Sequence, residues 1–134
     1  MGLARFVLFG SALAFAPLGA AFLVAPAAMG GLVDVALGAA LADNDVRAVY
    51  GGLQLGCGVF LAWCGWRADP VHVRVGLVGQ QFLFGGLVVA RAVSWLAVGS
   101  PGSLGVGLHV GELAGLLLGA VALRRLPSNV GVSV

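Results

Sequence analysis

The sequence predicts an all-α integral membrane fold, a bundle of four spanning helices with a short interfacial or re-entrant segment after the first span. Three observations predict it. Of 134 residues, 60% are hydrophobic and 9% charged, against ~45–50% and ~25% in soluble domains. So few charged groups cannot cover a water-soluble surface. The apolar residues also fall into four runs near the ~20 residues that cross a hydrocarbon core of ~30 Å. Polar turns carrying arginine, aspartate or proline separate those runs.

The first run extends from Phe6 to Ala25, preceded by Arg5 and stopped by Pro26. Such a run exceeds the ~7–15 residue core of a secretory signal, so a retained span is expected, kinked at Pro17, whose ring removes one backbone donor. Residues 27 to 42 are apolar but short and carry Asp34. Their Gly30-Gly31 pair predicts a break before a short helix beginning near Leu32. Asp43-Asn44-Asp45 supplies N-cap chemistry for a second span over residues 46 to 66, about 31 Å long at 1.5 Å per residue.

Arg67-Ala68-Asp69-Pro70 closes that span, and a third covers residues 71 to 98, with Trp95 as an interfacial anchor. The uncharged turn Gly99-Ser100-Pro101-Gly102-Ser103 leads to a fourth span over residues 104 to 123, closed by Arg124-Arg125. The tail from Pro127 to Val134 is expected to be loosely ordered. A single four-span domain over residues 1 to 134 follows.

Arginine sets the orientation. One side collects Arg5, Arg67, Arg74, Arg124 and Arg125, and the other has Arg47 with Asp34, Asp43 and Asp45. By the positive-inside rule both termini face the cytoplasm, and the expected location is a bacterial inner membrane. The basic residues are scattered, so nucleic acid is not an expected partner. Membrane lipids are, with a homo-oligomer or a larger membrane complex as further readings. Cys57 and Cys64 would stand ~10 Å apart on one helix, too far for a disulfide.

Glycines at 107, 111, 115 and 119, and Ala48, Gly52 and Gly56, recur at four-residue spacing. Such rows make smooth faces for close helix contact, either within the bundle or between copies.

Ionisable groups inside spans cost roughly 2.5–3.5 kcal/mol at the centre, so they demand partners or a task. Arg91 lies ~10 Å below the outer end of the third span and Glu112 ~12 Å below the outer start of the fourth. Equal depth on antiparallel neighbours predicts an Arg91–Glu112 ion pair. His109 shares the Glu112 face, and Arg47, Tyr50 and Gln54 form one descending stripe at α-helical spacing. These six are the candidate ligand-binding residues. Gln80 and Gln81 lie deeper and are expected to make a separate interhelical contact.

No metal-ligand cluster, phosphate loop or nucleophilic triad accompanies the six, and His72 and His109 lie at opposite boundaries, which removes a shared haem iron. The sequence leaves any cofactor unassigned. The cluster is compatible with a register-fixing polar core or with an outward pocket for a lipid-like molecule such as a lipid headgroup or quinone. It also fits proton-coupled transport or a redox-linked component using Glu112 and His109. Acid–base catalysis by that pair ranks last. The preferred expectation is a non-enzymatic protein that binds a lipid-like molecule or serves as an accessory subunit.

Arg47 with Tyr50-Gly51-Gly52, the following Gly56 and Gly58, then Arg91 and Glu112 together resemble the bacterial membrane family designated domain of unknown function 4345. The likeness runs from the first span to Arg125. It implies a four-span bundle akin to the wider DoxX-like group, and it implies no activity.

Overall fold

Helices long and apolar enough to cross a bilayer span Gly2–Val24, Ala40–Arg67, Pro70–Val98 and Gly102–Arg124. The computed structural model describes residues 1–33, 35 and 37–127. Each span exceeds the ~20 residues a bilayer core requires, and the chain is a multi-pass membrane protein by that measure. In order, the elements are α1 (Gly2–Val24), α2 (Pro26–Leu32), α3 (Ala40–Asp45), a π-helical stretch (Val46–Leu53), α4 (Gln54–Arg67), α5 (Pro70–Val98) and α6 (Gly102–Arg124). Asp34 and the tail beyond Pro127 lie outside the described residues.

Two details depart from the sequence expectation. The second span starts at Ala40, with Ala39 as a cap that lends no side chain. Asp43 therefore sits inside the first turn, where its Oδ1 accepts from the Gly38 N–H at 3.3 Å. The short helix after α1 ends near Leu32 rather than beginning there, because Pro26 at its first position preorganises the backbone. Pro17 lies within an uninterrupted α1. Cys57 and Cys64 are free thiols.

Two compact units divide the chain, one of residues 1–8 and 64–134, the other of residues 9–63. In the second unit, α1 runs antiparallel to the second span at close range. A Cβ added at Gly58 would stand 2.6 Å from the Ala16 backbone nitrogen, and one at Gly51 would meet Leu23 Cδ2 at 2.8 Å. Between them Gly19 abuts the Leu55 and Gly51 backbones. Gly56, by contrast, has open space above it. The helix contact thus falls on Gly51 and Gly58, a seven-residue step, and the row of Ala48, Gly52 and Gly56 is exposed.

In the first unit, α5 and α6 are antiparallel neighbours. Gln80 is fully buried, and its Nε2 donates to the Gly115 carbonyl at 2.9 Å while its Oε1 accepts from Gln81 Nε2 at 3.3 Å. Gly119 admits both glutamines because it lacks a side chain. The expected interhelical role of Gln80 and Gln81 is met here. Gly115 and Gly119 of the four-glycine row face α5, whereas Gly107 and Gly111 meet nothing within 4 Å. At the other end of this unit Gly76 lets α5 approach Cys64 and Leu8, where a Cβ would stand 2.6 Å from the Cys64 Cβ.

The turn between α4 and α5 holds Ala68 at φ 57°, a left-handed conformation that costs a non-glycine residue roughly 1–2 kcal/mol. Asp69 then caps α5, accepting from the Val71 and His72 backbone N–H groups at 3.1 and 3.0 Å. At the far end Gly99, at φ 91°, closes α5 by donating to the Trp95 carbonyl at 3.0 Å.

Candidate functional site

Arg91 and Glu112 meet where α5 and α6 run side by side. The Arg91 Nε–H is shared between Glu112 Oε2 at 2.7 Å and Oε1 at 2.9 Å. The Glu112 side chain is 9% exposed and that of Arg91 34% exposed, so the carboxylate is enclosed and the guanidinium keeps one open flank. Neutralisation at short range is what makes two charges tolerable inside apolar spans.

One N–H of five is committed in this way. The four donors on Nη1 and Nη2 make no hydrogen bond among the described residues. They form a planar fork suited to a carboxylate, phosphate or carbonyl oxygen.

One turn along α5 from Arg91, the Trp95 ring meets His109 of α6 edge to face, with centroids 5.9 Å apart and planes at 82°. His109 Nδ1 is buried and has no partner among the described residues. Although His109 shares the Glu112 face, the two side chains make no hydrogen bond to each other. Trp95, read from the sequence as an anchor, is thus also a wall of this cluster. Its four-residue spacing from Arg91 carried that signal.

Arg47, Tyr50 and Gln54 lie in the other unit, where the backbone departs from the α-helix that their spacing assumes. Val46–Leu53 is π-helical, so its wider turn changes the phase between positions 47 and 54. Gly51 and Gly52, lacking Cβ atoms, make the altered backbone less costly. Arg47 Nη1 donates to the Leu23 carbonyl at 2.6 Å, satisfying one of the acceptors left at the end of α1. Tyr50 stacks at a tilt on Phe22, centroids 5.3 Å apart. The Gln54 Oε1 is buried and without a partner among the described residues.

Of the six candidate residues, the structure joins Arg91 to Glu112 directly and sets His109 beside that pair through Trp95. Arg47 and Tyr50 instead fasten the second span to the end of α1. Among the described residues no group of three or more histidine, cysteine, aspartate or glutamate side chains is placed to hold a metal ion.

Neither the curated proteins nor the solved structures contain a match to this chain. A family profile does match, over residues 3–123, which covers both units, the Arg91–Glu112 pair and all four spans. The chain therefore belongs to the family described as Domain of unknown function (DUF4345).

Proposed function

We propose that this protein binds a small lipid-like molecule bearing an acceptor headgroup, at a site formed by Arg91, Trp95, His109 and Glu112, and that it catalyses no reaction. The observation that carries this reading is the uncommitted half of Arg91. Four guanidinium donors stand within an apolar span, one flank open, with the countercharge already engaged at Nε. Donors left unpaired away from water are costly, and an anionic or carbonyl headgroup would satisfy them while its tail lies among the exposed apolar side chains of α5. Val98, two turns further along α5 on the Arg91 face, is such an exposed side chain. The buried, unpartnered Nδ1 of His109 adds one more polar contact.

On this reading the site opens to the outer half of a bacterial inner membrane, both termini being cytoplasmic by the arginine asymmetry. Service as an accessory subunit of a membrane complex is compatible with the same site. Arg47, in the second unit, is already engaged at the Leu23 carbonyl. Proton-coupled transport or a redox-linked role through Glu112 and His109 has less support, because Arg91 holds both carboxylate oxygens and His109 does not reach them.

Native mass spectrometry of the purified protein tests the proposal. A co-purifying amphiphile at one per chain is expected, lost in Arg91→Gln and partly kept in Arg91→Lys. Bare protein across several gentle detergents would count against it.

A further inference from the structure

We infer a second, independent binding site: a belt of arginines at the opposite end of the first unit that takes the phosphodiester headgroup of an anionic phospholipid. Hydrogen bonds place its members together. Arg5 Nε donates to the Gly65 carbonyl at 3.0 Å, two residues before Arg67. Arg74 Nη2 donates to the Pro127 carbonyl at 2.7 Å, two residues after Arg125. A two-residue turn joins α4 to α5, so the ends of α4 and α6 and the starts of α1 and α5 present Arg5, Arg67, Arg74, Arg124 and Arg125 at one end of the unit.

The charge there is almost entirely unopposed. Asp69 is the acidic residue in this region among the described residues, and it is occupied by two backbone N–H groups and the His72 side chain. Arg67, Arg124 and Arg125 are exposed, and their side chains make no hydrogen bond or ion pair among the described residues. Each retains a planar fork of donors that fits a phosphate bidentately.

Their position selects the source of that phosphate. Arg67 and Arg124 are the last residues of membrane-spanning helices, which brings their side chains to the level of lipid headgroups. Trp66, 78% exposed beside Arg67, is the amphipathic residue type that settles at that boundary. The belt is far from the Arg91 site, since Arg125 follows Glu112 by thirteen positions along α6 and its cap, about 20 Å at 1.5 Å per residue. Its ligand binding does not depend on that site.

The test uses the full chain in mixed nanodiscs of phosphatidylglycerol and phosphatidylcholine, with the lipids retained on detergent extraction counted by native mass spectrometry. Wild type is expected to keep phosphatidylglycerol in preference, and the preference should fall by about fivefold for each arginine removed in Arg124→Gln and Arg124→Gln/Arg125→Gln. Neither side chain makes a hydrogen bond or ion pair among the described residues, and unchanged circular dichroism confirms that the variants fold. The wild-type preference should also collapse in ~1 M salt, where charges more than ~3 Å apart are screened. Equal retention of the two lipids, or a preference indifferent to both the substitutions and salt, overturns the inference. Displacement of the lipid by millimolar inorganic phosphate would also overturn it, by making the belt a site for the free anion.

Discussion

The Arg91–Glu112 pair is asymmetric, and that asymmetry predicts unequal costs for its two halves. In Arg91→Gln the carboxylate, 9% exposed, stays enclosed without its countercharge, and stripping one partner from a buried pair costs about 3–5 kcal/mol. In Glu112→Gln the amide oxygen still accepts from Nε, and the guanidinium, 34% exposed, shifts toward its open flank on a flexible stem. Losing only the charge assistance of that hydrogen bond costs about 1–2 kcal/mol. The double variant leaves two neutral amides able to bond to each other, so the coupling between the sites should be favourable by ~1–3 kcal/mol. Equilibrium unfolding in mixed micelles, followed by tryptophan fluorescence and circular dichroism, measures all four corners of the cycle. Additive effects, or an Arg91→Gln variant as stable as wild type, would refute the assignment of the pair as a helix-coupling contact.

Other positions give sharper contrasts between neighbouring residues. Gly58→Ala forces a Cβ against the Ala16 backbone, which has no rotamer to yield, and should destabilise by ~1–3 kcal/mol; Gly56→Ala, with open space, should be neutral or stabilising by up to ~1 kcal/mol. The same unfolding assay decides, and equal effects would contradict the observed register of α1 on the second span. Gln80→Leu removes the bond to Gly115 and should cost ~0.6–2 kcal/mol, the range of interhelical hydrogen bonds in membranes. Ala68→Gly relieves the left-handed φ of 57° and should raise stability by ~0.5–1 kcal/mol. At Asp69 the His72 backbone N–H, followed by the His72 side chain, holds the carboxyl below its ordinary range. A pKa lowered by folding gives stability that is present above the unfolded value of ~3.9 and lost as pH falls through the folded one. The carboxyl carbon resonance of Asp69 should therefore titrate below a free aspartate, and His72→Ala should move its midpoint part of the way back. A midpoint at the ordinary value in wild type would exclude the cap.

Much of the architecture was legible in the sequence, for a plain reason. A bilayer imposes one length and one polarity on anything that crosses it, so runs such as Gly102–Arg124 declare themselves, and arginines and turn residues mark their ends. The Arg91–Glu112 pair was legible for a related reason. Two opposite charges at equal depth on helices joined by a short turn have few other ways to avoid lipid.

Local backbone choices and the packing partner of each glycine were decided only in three dimensions. A four-residue row of small side chains looks the same whether it meets a helix or open space, so nothing along the chain separates Gly115 and Gly119 from Gly107 and Gly111. Periodicity arguments assume a constant turn, and the π-helical stretch at Val46–Leu53 breaks that assumption for Arg47, Tyr50 and Gln54. Local sequence therefore determined which segments lie in the membrane and which charges need each other. Close approach between backbones decided which helix face turns inward, because that contact depends on both surfaces and neither helix carries it alone.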